Sequence, residues 1–523
     1  MYMKHVIIFI SALLISLSIS AQDEQAQKYV EKEQYSNANI IYKNLLVSNS
    51  KKAGDYYYYL GDICLRKEKN DSAKYFFMEG IKADESNALN YVGIGIVSMR
   101  SKNTTEGQRS FDKALQLTSS KNSQVLNAIG EYYVLDATAA ELPKGIALLK
   151  KSIEVDPKNA TGWILLGDAY GRQGDGTKQI EDYNKAGTLV HSVPLLKMKY
   201  GKLYTAVRNT DLAINYFNEG LAVDATYGPL YRELGDVYNT KKKYDLAVEN
   251  YKKYLSYIDR NDDVEFKYGF FLWKSQKYSE AVETFTTLEK RKYDSPYIYN
   301  TRAVCYYELA KYEPAKNDME TYFKKVNAAS TKSADYEYYS KILLKLGQDS
   351  LAIAQMEYAV AKDTTRLELY GEIASYYYSK NDYAKTAEYI SKQIKPTTKE
   401  PKIFFELGRA YFYNKEYAKA DSSFAKLVEL KPAVYLGYLW RARSISAQDL
   451  EMKQGLAKPF YEKVIELCGP SGAKYKDELI EANEYIAVYY TVNRDKVKAD
   501  AAWKNVLALD PANTRAINGL KAK

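Results

Sequence analysis

The chain has 523 residues, 46% of them hydrophobic and 27% charged, the balance of a folded chain and not of a disordered one. Its formal charge is +9, spread diffusely, which excludes the concentrated basic footprint of a nucleic-acid binder. Fifty-three tyrosines stand beside 2 histidines and 3 cysteines, so amphipathic contact area is abundant and the usual acid–base and metal ligands are scarce.

Residues 1–21 read as a secretory signal peptide: a short basic start "MYMKH", an apolar run from Val6 to Ile19, and small residues at Ser20 and Ala21 for cleavage. The run falls short of the roughly 20 residues that cross a bilayer core. A mature chain beginning near Gln22 is therefore expected to be exported, periplasmic or extracellular, and not membrane-spanning. No cysteine at the junction provides for lipid attachment. Cys64, Cys305 and Cys468 are odd in number, far apart and without CxxC spacing, so they define no disulfide framework. Cys64 and Cys305 fall where a buried small apolar residue is expected.

From there to residue 513 the chain repeats. The segment "LYRELGDVYNTKKKYDLAVENYKKYL", residues 230–255, reads as two amphipathic helices joined by a polar turn. Small residues recur at a stride of 34 through Gly167, Gly201, Gly235, Gly269 and Ala303. Extended in both directions with slips of one to three residues, the register gives fourteen units, with Gly61 and Gly95 upstream and Gly408 downstream. A second small position follows, as in Ala213, Ala247, Ala281, Ala315 and Ala420, with Gln179 and Thr386 as departures. Four residues later comes a large apolar group, from Tyr42 and Phe77 through Tyr251 and Phe285 to Tyr461 and Trp503. Small and large positions in alternation predict close backbone crossings into which a bulky side chain fits. Irregularities are expected near 134–145, 324–335 and 446–480, and residues 514–523 read as a short capping helix.

These residues resemble the tetratricopeptide repeat. "WILLGDAY" follows the family pattern through Trp163, Leu166, Gly167 and Tyr170; "FFELGRAY" does so through Phe404, Leu407, Gly408 and Tyr411; Pro157, Pro432 and Pro511 match its closing proline. The resemblance implies an all-α, right-handed superhelix of about fourteen hairpins, with the first helix of each lining a concave groove that takes peptide segments. Groove positions then lie three before, one after and four after the first small residue. They carry Phe266, Phe270, Trp273, Tyr307, Tyr378, Phe405 and Phe412, with Arg409 and Arg443 beside them, and Arg66, Arg100 and Arg172 one position further along. The aromatics suit interface anchors, and the arginines suit acidic groups of a partner. The Lys and Asn clamp of chaperone-binding relatives is missing, its places being held by residues such as Tyr58, Asp62 and Val92.

Catalysis finds little footing. His191, the one histidine of the expected mature chain, lies near Ser192 without a distinctive acid spacing, and neither a zinc cluster nor a phosphate loop is present in the sequence. The expected function is a non-enzymatic scaffold of the cell envelope, without cofactor or metal, that binds segments of partner proteins. The alternative is a binder of glycan or cell-wall polymer through concave aromatic residues.

Overall fold

The computed structural model describes residues 20–189, 193–469 and 474–522. The expected signal peptide up to residue 19, His191, Ser192 and part of the loop after Cys468 lie outside them.

Among the described residues the chain folds into fourteen helical hairpins and a terminal helix, and no strand is present. The helices of residues 20–31 and Tyr35–Ser48 form the first hairpin, and Lys476–Val492 with Lys496–Leu509 form the last. The boundaries follow local chemistry. Asn103, Asn159, Asn209 and Asp382 each accept a backbone N–H of the following first turn, meeting donors that a helix start leaves unsatisfied. Twelve hairpins turn through one left-handed residue two positions before the second helix, such as Glu68, Lys242 or Lys415. The other two are the hairpins with expected insertions between their helices. In one, Ala139–Glu141 forms a 3-10 turn; in the other the loop runs through Gly455, whose backbone lies against the ring of Tyr489. The segment near 324–335 holds a further 3-10 turn, Ala328–Ser330.

The small–large alternation is steric in origin. A Cβ on Gly235 would sit 2.4 Å from the ring of Tyr251, and one on Gly201 would sit 2.1 Å from Phe217. Gly61 faces Phe77, Gly95 faces Phe111, Gly167 faces Tyr183, Gly269 faces Phe285 and Gly408 faces Phe424 in the same way. Ala247, Ala281, Ala303 and Ala420 are fully buried. The helix Thr514–Lys521 lays Gly519 on the ring of Trp503, covering the large position of the last hairpin. All three cysteines are buried.

The chain divides into two compact units, residues 1–305 and 306–523. In the first, the turn of the opening hairpin meets the seventh hairpin, some two hundred residues away. Arg232 donates to Glu33 at 2.6 Å, Gln34 donates to the carbonyl of Tyr257 at 2.8 Å, and Lys32 pairs with Asp224 at 2.6 Å. Asp259 accepts from the backbone and hydroxyl of Ser36 and from Lys67.

Candidate functional site

In the first unit the arginines expected to face a partner are engaged by the chain itself. Arg172 donates to the carbonyls of Tyr133, Val134 and Ala137, completing the end of the helix Ser123–Leu135. Arg100 donates to the carbonyl of Leu65 and pairs with Asp136 at 2.9 Å. Arg66 pairs with Asp62 at 2.8 Å and approaches Glu131 at 3.9 Å. The Asp62 charge foremost holds the Arg66 guanidinium above its ordinary pKa, while burial pushes the Glu131 carboxyl up against the attraction of Arg66. These guanidiniums tie one hairpin to another, which revises their reading as acceptors of foreign carboxylates. Further along, the groove positions Asp236 and Asp168 pair with lysines of the next hairpin, Lys267 at 2.7 Å and Lys199, each two residues before its own small position.

The first unit's predicted aromatics are half-buried. Phe266 packs 5.8 Å from Phe285 and 5.7 Å from Tyr293. Phe270 and Trp273 meet edge to face at 5.0 Å, and the Lys274 ammonium lies 4.4 Å from the Trp273 ring. Each therefore contributes one side to the core and one to the surface.

The second unit brings its predicted residues together. Tyr378, Phe405, Arg409, Phe412 and Arg443 come from the successive helices Leu367–Ser379, Pro401–Tyr413 and Tyr435–Ser446, while Tyr307 lies apart, against Tyr312 and Tyr338. Arg409 donates to the Tyr378 hydroxyl and lies 5.4 Å from that ring, 5.7 Å from Phe405 and from Tyr413, and 6.0 Å from Trp440. Such a guanidinium is held by ring quadrupoles as well as by its hydrogen bond. Phe412 meets Trp440 edge to face at 5.2 Å, and Arg443 reaches over Trp440 to Glu481 with bonds of 2.8 and 2.6 Å. The bond to Glu481 foremost raises the Arg443 pKa, and burial foremost raises that of Tyr378.

Trp440, the centre of this cluster, escapes the groove rule because it stands two residues before the small Ala442, and it is 9% exposed. Its legible signal is tryptophan itself, one of four in the chain. Beside the cluster lies a cavity of about 690 Å³ between the helices Leu367–Ser379 and Pro401–Tyr413. Gly371, Ser375, Tyr378 and Arg409, all groove positions by the sequence rule, line it. Among the described residues no group of three or more His, Cys, Asp or Glu side chains is placed to hold a metal ion, and no helix is long and apolar enough to cross a membrane.

Fold and surface together define an all-α solenoid of successive helical hairpins. Residues 229–261 and 401–434 match the tetratricopeptide repeat family. The chain is 67% identical to the solved C-terminal part of a TPR repeat-containing protein of Cytophaga hutchinsonii, covering all of that structure with 49% of its own length at a TM-score of 0.34. It is 22% identical to the TPR repeat-containing protein YpiA of Bacillus subtilis, over 63% of this chain and 77% of that one. It is 28% identical to the probable UDP-N-acetylglucosamine–peptide N-acetylglucosaminyltransferase SPINDLY of Hordeum vulgare, over 30% of this chain and only 18% of that one. The chain belongs to the tetratricopeptide repeat proteins.

Proposed function

We propose that this protein is a non-catalytic scaffold of the cell envelope, exported by its first 21 residues, that binds segments of partner polypeptides on the groove face of its second unit. The cluster of half-buried Tyr378, Phe405, Arg409 and Phe412 around the buried Trp440 carries this reading. Aromatic and arginine side chains anchored by neighbours lose little entropy on contact, which is what makes such groups dominate polypeptide interfaces. Family membership supports the same reading, since tetratricopeptide repeat proteins generally mediate protein–protein interaction. A glycan would need ring faces open for stacking. Here the rings meet edge to face, and a guanidinium lies over four of them.

A photo-reactive phenylalanine analogue at Phe412 tests the assignment against the same analogue at Tyr358, a second-helix position 57% exposed. Irradiation in envelope extract is expected to link discrete polypeptides from position 412 and none from 358. Equal labelling from both, or binding to purified cell-wall polysaccharide that Phe412→Ala abolishes, would defeat the polypeptide reading.

A further inference from the structure

Resting on that groove reading, we propose that the cavity between the helices Leu367–Ser379 and Pro401–Tyr413 receives a lysine or arginine side chain of the bound polypeptide.

Three observations build the cavity. First, the intervening second helix, Tyr383–Ser391, has 9 residues where its counterparts Asp349–Lys362 and Tyr417–Leu430 have 14. Pro396 bars the last positions of a full-length helix, since it disfavours helical backbone at Lys395 and supplies no N–H. Second, the groove position that holds Tyr58, Arg232, Phe266 and Phe405 in other hairpins is here Gly371. A Cβ on Gly371 would meet nothing closer than the Gln393 Oε1 at 3.5 Å, whereas glycines at the hairpin crossings are pressed to well under 3 Å. Gly371 therefore leaves room that the fold does not use. Third, the floor is apolar and buried, with Ala374, Ile390 and Ile403 each less than 10% exposed.

Charge decides what enters. The cavity is lined by the carboxylates of Glu368, Glu372, Glu400 and Glu406 against the cations of Lys402 and Arg409, an excess of two negative charges. Glu368 is committed to Arg366 at 2.6 Å, and Glu406 approaches Lys402 at 3.7 Å. Glu372 and Glu400 carry no such ion pair and remain to meet an incoming cation. Arg409 does not invite an anion instead: it is bonded to the Tyr378 hydroxyl under its aromatic cover, and its Nε, which has no hydrogen-bond partner, is buried out of reach of an entering group. A long aliphatic stem on the apolar floor with a cationic head between two carboxylates satisfies both halves of the cavity, as lysine and arginine side chains do when they lie along apolar surface.

The test selects 12-residue peptides from a random phage-displayed library on the chain from residue 22 to 523. Selected peptides are expected to share one Lys or Arg at a fixed place, and replacing it with norleucine is expected to weaken binding at least tenfold. Gly371→Leu fills the cavity without overpacking a crossing. It is expected to cost the same factor while the melting temperature stays within a few degrees. The double variant Glu372→Gln, Glu400→Gln is expected to weaken the basic peptide and to leave its norleucine form unchanged. Peptides that need no basic residue and ignore Gly371→Leu, yet are lost with Phe412→Ala, would overturn the cavity and leave the groove reading standing. Failure to select any peptide, or binding indifferent to both substitutions, would overturn both.

Discussion

At the scale of the residue, the repeat is a contact between an aromatic ring and a backbone that has no side chain to spare. Phe77 shows it twice over, its ring lying where a Cβ on Gly61 or on Gly93 would come within 2.4 Å. Gly235→Leu is expected to force the Tyr251 crossing apart at a cost of about 1–3 kcal/mol, and Tyr251→Ala to leave a void costing about 3–5 kcal/mol, both measurable by denaturant unfolding. This contact was wholly legible in the sequence, because a fixed stride leaves no other use for the small residues. A different residue was not legible: Asp182 is 8% exposed, and one of its carboxylate oxygens is buried without a hydrogen bond. Burial foremost, with Glu181 adding and Lys150 opposing, pushes its pKa up to about 6 from an ordinary 3.8. The folded state holds this proton more tightly, so its contribution is present below about pH 4 and is lost as pH rises through 6. Asp182→Asn is expected to flatten stability between pH 4 and 6. At neutral pH it should raise stability by about 3 kcal/mol, on ~1.4 kcal/mol per pKa unit, as read from melting curves across that range.

At the scale of the element, the turns carry strain that the register does not reveal. Lys242, Gln276 and Lys415 hold φ between 57° and 64°, where a side chain is disfavoured, whereas Gly174 and Gly347 fill the same place in other hairpins without that cost. Lys242→Gly is expected to stabilise the chain by about 0.5–1 kcal/mol, the relief of strain exceeding the added freedom of the unfolded state, and equilibrium unfolding would show it. A loss of stability would mean that the Lys242 side chain contributes more than its backbone strain removes. The candidate site was legible in part. Tyr378, Phe405, Arg409 and Phe412 followed from counting along the first helices, but the cavity beside them comes from the shortened helix Tyr383–Ser391 together with Gly371, and the sequence marks it only by Pro396 and by that glycine. The arginines of the early hairpins were legible as a row and illegible in role. Apart from Asp62, one helical turn before Arg66, the carbonyls and carboxylates they meet lie 35 to 65 residues away, a distance that helical periodicity does not encode.

At the scale of the whole molecule, the repeat register passes without a slip over the point where the chain divides. That point falls inside the helix Tyr297–Glu308, and nothing in the sequence marks it. The sequence was equally silent on the clasp in the first unit, where Glu33, Gln34 and Ser36 grip Arg232, Tyr257 and Asp259. A stack whose members touch only their neighbours frays from its ends, each terminal hairpin opening at little expense to the rest. The clasp gives the first hairpin a second set of attachments, so covalently linear connectivity acquires the thermodynamics of a ring. Hydrogen exchange provides the measure: the amides of Tyr35–Ser48 should be protected like those of an interior hairpin. The pair Glu33→Ala, Asp259→Ala should speed their exchange tenfold or more and leave Asp262–Lys274 unchanged. Kinetically, closing a loop of some two hundred residues should come late, after the hairpins it joins have formed.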